Sequence, residues 1–448
     1  MGQRTRILSQ IAGFRGWKVE ESWWESPHGE RVVPIAGFDV PSDAVLVLRM
    51  KRRWAARCGA CFAICSCGCH EHCRVRRWAD LPWAGHRVVL EYAEERVKCK
   101  RCGSHATELL GWADARQRQT RRLQHHLALD AFSMPLSHVA TKYGLAWRTV
   151  HRAEAAALER WERTRPAKPL RLVGLDEKWL GRRHKRPEKF VSIVSDLDTG
   201  EPVWIGYGRG ADTVEQWLAT LSPEQKAQIV LVACDMHAPF IRAIQHDPAL
   251  AHVPIVHDPF HVMKRAGQAL TELRRQTFFR AGADLRAAGR GTYWLVLRPW
   301  ERLAEDDRSR LRRVFALNGK LARAYQTVAQ LREALKAPDE VALADAMWQV
   351  LRRTARRDNV PLRKLHDCLI AHMFGILALA EHRPPTGRIE ALNGNWETLV
   401  RRGRGYRDHQ YLLRKLRFLT NNPVRDRNGI LRFLALGITP PTRLARAA

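Results

Sequence analysis

The sequence predicts a multidomain α/β protein in which a small β-rich module and a helical domain precede a mixed sheet with a helical insertion. Three observations predict this organisation. Eight of the ten cysteines lie between Cys58 and Cys102, among strand-like stretches of alternating polarity. From Thr120 to Trp161 apolar residues recur three and four positions apart, as on one face of a helix. Beyond residue 166, short apolar strand patterns alternate with amphipathic helical patterns, which is typical of a mixed α/β domain.

Length and charge limit the functions open to this chain. Its 448 residues correspond to about three domains at roughly 150 residues each. Lys and Arg number 76 against 46 Asp and Glu, which gives a net charge of +30. This excess favours nucleic acid over a membrane surface as partner, because neutralised phosphates release counterions. The sequence lacks a long apolar run and a secretory signal, so we expect no transmembrane helix, no membrane association and a cytoplasmic protein.

The β-rich region, residues 1–112, contains a predicted zinc site. Two CxxC pairs, Cys58 with Cys61 and Cys99 with Cys102, each follow a strand-like stretch. Two such pairs at strand ends can place four thiolates in a tetrahedron around one Zn²⁺. The gap between the pairs is longer than in most zinc ribbons, but clustered cysteines in a chain without a secretory signal favour zinc over disulfides or free thiols.

The segment between the two pairs, CSCGCHEHC, runs from Cys65 to Cys73. Its cysteines and histidines could build a second zinc site, but CxCxC is not a standard zinc knuckle. A thiol-rich loop that binds no metal, or that replaces a ligand of the first site, is an equal alternative. The isolated Cys234 and Cys368 are expected to behave as small buried apolar residues.

Residues 113–165 carry the pattern of a helix-turn-helix domain. The run PLSHVATKYGLAWRTVHRAEAAAL predicts a helix, a turn at Gly144 and a second helix that begins near Ala146. Val139 and Val150 would be apolar anchors of the two helices. An ordinary helical hairpin would share this pattern, but the surrounding positive charge favours DNA recognition. The second helix would present four residues to a DNA groove, namely Trp147, Arg148, Thr149 and Arg152.

A mixed sheet is predicted for the first part of the remaining chain, residues 166–279. Three strand patterns precede helices that alternate with further strands, which predicts an antiparallel meander extended by parallel crossovers. Residues 280–385 show long Arg- and Ala-rich helical patterns and are predicted to form a helical insertion. Residues 386–448 would complete the mixed-sheet domain and end in a basic tail.

The basic tail, from Arg401 to Ala448, carries twelve Arg or Lys residues and two Asp. Arginine side chains match phosphate oxygens with two parallel hydrogen bonds, so the tail favours contacts to a nucleic-acid backbone. A solvated basic face is the alternative. The best candidates for backbone contacts are the arginines of RRGRGYR, which are Arg401, Arg402, Arg404 and Arg407.

Three acidic residues lie where metal-dependent chemistry would need them. Asp176 follows the apolar run LVGL, Asp235 follows IVLVAC, and Glu390 lies in the helical pattern GRIEALNGNWE. Two adjacent strand ends and a helix can converge carboxylates on Mg²⁺, which prefers oxygen ligands. Two such ions roughly 3.5–4 Å apart activate the attacking oxygen and stabilise the leaving oxygen in phosphodiester chemistry. Taken singly, an Asp after a strand is more often a turn or cap residue.

These acidic residues lie in motifs that resemble those of a known family. The runs GLDEKW, VACDMHAPF, IVHDPFHVMK and GRIEALNGNWETLVRRGRGYR occur in that order, after the CxxC pairs and the DLPWAG stretch. Together they resemble the bacterial insertion-sequence transposases that carry a DDE triad on an RNase H-like fold behind an N-terminal zinc module and helix-turn-helix. The resemblance covers nearly the whole chain.

The resemblance implies DNA strand cleavage and strand transfer at the terminal inverted repeats of a mobile element. Asp176, Asp235 and Glu390 would be the catalytic, metal-binding triad, with Mg²⁺ or Mn²⁺ as cofactor. Glu397, seven residues after Glu390, is the rival for the third position. The partners would be double-stranded DNA at the element ends and the target, and a second copy of the chain, because each of two ends needs one active site. No small-molecule substrate is expected, and the protein would associate with the bacterial nucleoid.

Neighbouring polar residues have simpler expected roles. Asp258 would cap the helix that follows it. Glu177 would point to the opposite face of the strand from Asp176 and not be a ligand. His237 and His261 are expected to be structural. A transposase-derived DNA-binding regulator without catalysis is the alternative function, and a structure-specific nuclease on the same fold is a third. The sequence leaves open whether an active enzyme would follow a cut-and-paste or a copying pathway.

Overall fold

The computed structural model describes residues 3–33, 40–65, 71–166, 168–180, 189–278, 283–355, 359–403, 406 and 408–438. The chain divides into two units, the first made of Met1–Ala167 with Glu397–Ala448 and the second of Lys168–Trp396. Of the helices in the described ranges, none combines the length and hydropathy that spanning a bilayer requires.

The secondary structure follows the predicted order of strands, helices, strands and helices. The strands are β1 (Trp17–Glu25), β2 (Arg31–Val32), β3 (Val45–Arg52), β4 (Ala56–Arg57), β5 (Ile64–Cys65), β6 (Glu71–Trp83), β7 (His86–Lys98), β8 (His105–Thr107), β9 (Leu172–Trp179), β10 (Phe190–Asp196), β11 (Glu201–Tyr207), β12 (Leu231–Cys234) and β13 (Ile255–His257). The helices are α1 (Gln3–Ala12), α2 (Arg121–Ser133), α3 (Leu136–Tyr143), α4 (Trp147–Arg163), α5 (Ala211–Leu218), α6 (Pro223–Ala227), α7 (Ala238–His246), α8 (Pro259–Phe278), α9 (Ala283–Gly289), α10 (Tyr293–Leu297), α11 (Glu305–Leu317), α12 (Gly319–Ala334), α13 (Glu340–Thr354), α14 (Val360–Ala371), α15 (Met373–His382), α16 (Gly387–Gly403), α17 (His409–Asn421) and α18 (Arg427–Ala435).

The N-terminal module is β-rich, as predicted. Its main sheet has the order β2-β1-β3-β7-β6, with β8 paired to β7. Strands β3 and β7 run parallel and the other neighbours antiparallel. The core contains three tryptophans, in which the Trp112 ring contacts Trp78 and Trp17 edge to face at 5.0 and 5.6 Å. Aromatic pairs of this geometry add stability beyond the area that they bury.

A two-residue turn joins the long strands β6 and β7. Ala84 and Gly85 both have positive φ, at 49° and 85°. Two positive φ angles are the signature of the type I′ turn, whose twist matches that of the paired strands. The turn therefore fixes the register in which Trp83 faces His86.

Helices α2, α3 and α4 form the predicted helix-turn-helix arrangement. Gly144 ends α3 in the left-handed conformation, with φ of 60°, and α4 begins three residues later. Glycine is favoured at such a helix end because it has no Cβ to clash. Val139 and Val150 are buried together against Leu123 and Leu127 of α2, so the predicted apolar anchors hold the two helices in place.

The C-terminal helices pack in the same helical core, although the sequence placed residues 386–448 with the mixed sheet. Phe418 of α17 contacts Trp161 of α4 at 5.0 Å. The buried Glu154 of α4 accepts a 2.6 Å hydrogen bond from Lys415 and another from the Tyr411 hydroxyl. The apolar face of α17 therefore covers α4, which the local pattern of α17 alone could not indicate.

The second unit is built on a mixed sheet of the predicted kind. Its order is β11-β10-β9-β12-β13, with antiparallel pairing among the first three strands and parallel pairing of β12 with β9 and β13. This is the antiparallel meander extended by parallel strands that the sequence patterns predicted, and it agrees with the RNase H-like fold that the family resemblance implied. Between β13 and α16 the described residues are helical and share one apolar core, which includes Leu270, Leu321 and Met347.

Candidate active site, metal centre and DNA-binding surface

Asp176 and Asp235 lie side by side in the mixed sheet. Cys234, the last residue of β12, pairs with Leu175 of β9 in parallel register. The next residue in each segment is the aspartate: Asp235 directly follows β12, as predicted, whereas Asp176 lies within β9, which continues to Trp179. Because parallel strands present corresponding positions at the same edge, the register brings together the two carboxylates that the sequence placed at strand ends.

Both aspartates belong to the same face of the sheet. Leu175 and Cys234 pack with Phe240 in the core on the α5 and α7 side. Successive side chains of a strand point to opposite faces, so Asp176 and Asp235 point away from that core. They therefore face the side on which α16 packs.

A glycine lets α16 approach the strand that carries Asp176. A Cβ on Gly174 would lie 2.6 Å from Ser195 Oγ and 3.2 Å from Ile389 Cδ1. Both distances are shorter than ordinary contacts, so a larger residue would push Ile389 and its helix outward. Gly174 is two residues before Asp176 and shares its face, so this close approach sets how near α16 comes to Asp176.

Helix α16 contacts Asp176 through Asn393. Asn393 Nδ2 donates a 2.7 Å hydrogen bond to Asp176 Oδ2, and Asn393 Oδ1 is buried without a hydrogen-bond partner. Glu390 is exposed and lies one helical turn before Asn393, on the same side of the helix. The third predicted carboxylate thus lies on the helix that holds the first, but Asn393, not Glu390, makes the contact with Asp176.

Asp235 is a half-buried carboxylate with one unpaired oxygen. Its Oδ1 atom is buried without a hydrogen-bond partner, and its Oδ2 atom lies 3.9 Å from His261 Nδ1. Burial raises the pKa of the Asp235 carboxyl; the negative charges of Glu177 and Asp176 add to this rise, whereas His261 and His237 oppose it. Protonation or a bound cation would remove the cost of holding this unpaired oxygen away from water.

Glu177 contacts different groups from Asp176, in keeping with the expected alternation along β9. Its carboxylate oxygens lie 3.6 Å from Arg209 NH1 and 3.7 Å from His237 Nε2. Lys178 returns to the Asp176 side, with Nζ 3.8 Å from Asp176 Oδ2. Sequence reasoning missed Lys178 and the effect of Glu177 on Asp235, although the strand alternation in GLDEKW already placed Lys178 on the Asp176 face.

Asp258 has the helix-capping contact that the sequence predicted. The side chain is buried, and its Oδ1 atom accepts a 3.0 Å hydrogen bond from the backbone N–H of Phe260 in the first turn of α8. The backbone N–H of Asp258 donates to the carbonyl of Cys234. Asp258 therefore joins the end of β13 to the end of β12, beside Asp235.

The residues around Asp176 and Asp235 fit a divalent cation. Carboxylate and amide oxygens are the ligands that Mg²⁺ prefers, and the free oxygens of Asp235 and Asn393 are buried beside a second carboxylate. Asp176, Asp235 and Glu390 do not converge tightly. Among the described residues, the one group of three or more His, Cys, Asp or Glu whose ligand atoms all lie within 4.8 Å of one another is a set of cysteines.

That set is Cys58, Cys61, Cys99 and Cys102, the four residues that the sequence predicted to bind zinc. Cys58 Sγ lies 3.8 Å from Cys102 Sγ, and Cys61 Sγ lies 3.5 Å from Cys99 Sγ. Four sulfurs each about 2.3 Å from a tetrahedral Zn²⁺ lie about 3.8 Å from one another. The sulfur positions therefore fit a structural zinc ion.

Each CxxC pair lies in a tight turn that points its sulfurs inward. The backbone N–H of Phe62 donates to the carbonyl of Cys58, and that of Gly103 donates to the carbonyl of Cys99. Phe62 and Gly103 have φ of 64° and 70°. Gly59 lies so close to the chain at β8 that a Cβ would be 2.3 Å from a backbone oxygen. The two turns thus have matching backbone geometry. They bring together the sulfurs of Cys58 and Cys102, which are 44 positions apart, and those of Cys61 and Cys99, which are 38 positions apart.

The intervening CSCGCHEHC segment is only partly described. Cys65 is buried at the end of β5, whereas residues 66–70 and the side chains of residues 71–74 lie outside the described part of the chain. The second zinc site therefore stays a prediction. Cys234 is buried and Cys368 half-buried, in keeping with their expected packing role.

The first turns of α4 present the residues predicted to contact DNA. Trp147 and Arg148 are exposed, Thr149 is half-buried, and Arg152, one turn later, is exposed again. Within the described structure, neither arginine forms an ion pair. The start of α4 therefore offers two uncompensated cations and an indole ring on one surface.

The predicted backbone-contacting arginines differ in their surroundings. Arg401 is highly exposed and lies 3.5 Å from Glu397, one helical turn earlier. Arg402 donates to the backbone carbonyl of Phe132 near the end of α2, so part of its hydrogen-bonding capacity is already used. Arg404 and Arg407 lie outside the described residues.

Comparison with known proteins connects these features to one family. Residues 173–416 match a family model described as a transposase of the DDE type in the ISL3 group, and residues 108–156 match the helix-turn-helix domain of transposase family ISL3. The chain is 28% identical to the transposase for insertion sequence element IS1001 of Bordetella parapertussis. The matched region of 420 residues covers 92% of this chain and 97% of that protein. It is 27% identical over 406 residues to the transposase for insertion sequence element IS1557 of Mycobacterium tuberculosis, which covers 84% of this chain and 88% of that one.

Proposed function

The chain belongs to the ISL3 family of transposases, and from this premise we propose that it cleaves and transfers DNA strands at the terminal inverted repeats of an insertion sequence. In this proposal Asp176, Asp235 and Glu390 are the catalytic residues and bind Mg²⁺ or Mn²⁺. The substrates are double-stranded element ends and target DNA, within the bacterial cytoplasm and its nucleoid.

One observation carries the proposal. Two aspartates, the buried Asp176 and the half-buried Asp235, occupy corresponding positions of neighbouring chain segments in the sheet, and Asp235 keeps a buried oxygen without a partner. Placing two carboxylates beside each other while one buried oxygen stays unpaired is costly, so this arrangement favours a cation as the missing partner. Bound Mg²⁺ supplies activation of the attacking oxygen and charge stabilisation of the leaving oxygen in phosphodiester chemistry.

The residues around this centre have separable roles. Asn393 holds Asp176 Oδ2, and the backbone N–H of Glu177 donates a 2.8 Å hydrogen bond to Asp176 Oδ1, so both oxygens of this carboxylate are oriented for a ligand. Glu390 projects from the same side of α16 and is exposed. This exposure suits a carboxylate that binds the metal ion only when DNA is also present. Glu397 has Arg401 as an ionic partner, which favours Glu390 over Glu397 as the third acidic residue.

The N-terminal unit would recognise the element ends. Zn²⁺ held by the four cysteines would stabilise the two facing turns, which bury little apolar surface of their own. Trp147, Arg148, Thr149 and Arg152 would lie in a DNA groove, since the N-terminal residues of a recognition helix contact base edges. The arginines of RRGRGYR would contact the backbone. A homodimer on DNA follows from the need to process two ends.

Cleavage of DNA that carries the native element ends, with Mg²⁺ or Mn²⁺, tests this proposal. The wild-type chain should cut at the element boundary and Asp235→Asn should bind the same DNA without cutting it. Binding without cleavage by both proteins would reject the enzyme and support the alternative, a transposase-derived DNA-binding regulator. Cleavage that ignores the repeat sequence would instead indicate a structure-specific nuclease.

A further inference from the structure

The first unit contains a cavity beside the start of helix α4 that the proposed roles leave unassigned. Its volume is about 870 Å³, and it lies between the first turns of α3 and α4, the last turn of α16 and helix α17. Pockets that bind small organic ligands have volumes of about 300–1,000 Å³. The cavity is therefore large enough for a planar heterocycle with part of its attached chain.

One wall of the cavity is aromatic. The Trp147 indole stacks on the His151 ring, with centroids 5.2 Å apart and planes inclined by 17°. His151 in turn contacts the Tyr411 ring at 4.4 Å. Trp147 keeps 51% of its surface exposed although it lines the cavity. An indole backed by a second ring and open to solvent can accept another planar group.

Charge at the cavity favours an anionic occupant. Its described lining includes the cations Arg401, Arg402 and Lys415 against one carboxylate, Asp408. Lys415 is neutralised by the buried Glu154 beneath it, whereas the Arg401 side chain is 82% exposed. Arg401 pairs only with the exposed Glu397, and an exposed ion pair is weak, so its guanidinium at the mouth can exchange this partner for a phosphate while the aromatic wall contacts the base.

The Tyr411 ring, on which His151 packs, is held in place by hydrogen bonds of its hydroxyl that leave its face available. The Tyr411 hydroxyl donates to Glu154, and Lys415 donates to the same carboxylate. Tyr411 and Glu154 are both buried, so this network fixes the floor of the cavity. A rigid aromatic wall loses little conformational entropy when a ring stacks on it.

We propose that this cavity binds the base of an unpaired nucleotide in the DNA that the helix-turn-helix holds. The inference rests on the proposed binding of element ends, because α4 is the helix expected to enter the groove. Aromatic stacking accepts any base through its π-face, and removing such a ring lowers affinity by roughly 5- to 100-fold. A base that is already unpaired avoids the cost of leaving the duplex, so DNA with a locally unpaired nucleotide should be preferred.

The test is a binding series with duplexes of the native element end at about 150 mM salt. A single unpaired thymidine is moved along the sequence one position at a time, and a fully paired duplex serves as reference. Wild-type protein should bind one or two neighbouring positions at least about fivefold more tightly than the reference, and Trp147→Ala should abolish this gain. Trp147→Phe should retain part of it. Trp54→Ala, which removes an exposed tryptophan of the same unit that does not line the cavity, should leave the gain intact.

A second measurement does not depend on whether Trp147→Ala folds. Irradiation of a duplex with 5-iodouracil at the preferred unpaired position should crosslink the wild-type chain at Trp147, His151 or Tyr411. Absence of a preferred position, a preference that survives Trp147→Ala, or a crosslink outside these residues would overturn the inference. Trp147→Ala could instead abolish self-association of the chain and leave the preference for unpaired DNA unchanged. That result would assign the cavity to a second copy of the chain and would also overturn the inference.

The two proposals fail in different ways. If the wild-type chain binds and cleaves paired element ends but shows no preference for an unpaired position, only the nucleotide cavity is rejected. If it binds no element end above random DNA, the proposed function is rejected and the cavity proposal with it.

Discussion

Asn393 Nδ2 lies 2.7 Å from Asp176 Oδ2, across the space between helix α16 and strand β9. This hydrogen bond joins residues 217 positions apart and fixes the orientation of a carboxylate that is only 6% exposed. Glu390 lies one helical turn earlier on α16 and is exposed. The contact therefore couples the position of α16 to the geometry of the acidic centre.

Loss of this contact should impair cleavage without loss of DNA binding. We expect Asn393→Ala to lower the rate of end cleavage by about 10- to 100-fold, since groups that orient a metal ligand typically contribute this much. Asn393→Asp, which keeps the size but places a negative charge beside Asp176, should raise the Mg²⁺ concentration needed for half-maximal cleavage. Rates measured over a metal titration separate the two effects. Equal metal dependence in all three proteins would contradict the orienting role.

The third carboxylate can be identified by a matched pair of substitutions on α16. Glu390→Gln should reduce cleavage of element ends by more than about 100-fold, because it removes a charged metal ligand. Glu397→Gln should change it by less than about threefold, since loss of an exposed ion pair with Arg401 costs little. Both proteins should bind the end DNA like wild type in a filter or gel assay. The opposite ranking would transfer the third position to Glu397.

Zinc content should depend on the four clustered cysteines. Purified, reduced protein should contain at least one Zn²⁺ per chain, and Cys58→Ser should lower this below one, because a three-sulfur site binds zinc more weakly. Cys368→Ser serves as control, since this half-buried cysteine lies in the other unit. Elemental analysis gives the stoichiometry. A zinc-free wild-type protein would remove the basis for the metal centre.

His257 should make the protein sensitive to acid. Burial and the neighbouring His372 lower the pKa of His257 to about 4, although its hydrogen bond to the Cys234 carbonyl opposes this. Because the folded-state pKa is below the unfolded value of 6.5, the unfolded chain takes up a proton at His257 before the folded protein does. The free energy of unfolding is therefore unaffected by this group above pH 6.5 and falls as the pH drops towards 4. The loss at pH 4 would be up to about 3 kcal/mol.

Chemical denaturation between pH 7.5 and 4 checks this expectation. His257→Asn should flatten the dependence of the free energy of unfolding on pH in that window. His252→Asn, at an exposed histidine of the same unit, should leave the dependence as in wild type. A slope that is the same in all three proteins would show that His257 does not contribute.

Arg148 should contribute to the recognition of element ends. Arg148→Ala should weaken binding by about 1–3 kcal/mol and relax sequence preference if the side chain contacts a base. A phosphate contact would instead weaken binding to all sequences and reduce the salt dependence by about one counterion. Arg163→Ala at the other end of α4, where the side chain pairs with Glu159, is the matched control. Affinities measured at several salt concentrations distinguish these cases.

Local patterns predicted much of this architecture. The turn at Gly144 and the start of α4 follow from a glycine between two helical apolar patterns, and both are present. The apolar runs before Asp176 and Asp235 predicted parallel strands buried on both faces, and the two strands do pair in parallel. The cysteine pairs likewise predicted their own convergence.

Other features depended on contacts between distant segments. The apolar face of α17 has no sequence property that selects α4 over the mixed sheet as its partner, yet Phe418 packs on Trp161. Nor does the spacing of Asp176 and Asn393 predict their hydrogen bond, which depends on how closely α16 approaches Gly174. That Asp235 Oδ1 is buried without a hydrogen-bond partner also depends on the residues that surround it in the folded chain.

The order of strands and helices, the turn at Gly144 and the clustering of four cysteines all follow from the amino-acid sequence, because periodicity, turn residues and CxxC spacing act over short stretches of chain. Which helix covers which strand, which carboxylates are buried and which side chains hold them became apparent in the folded structure. Those properties depend on packing between segments far apart in the chain, where shape and burial, rather than local pattern, set the energy.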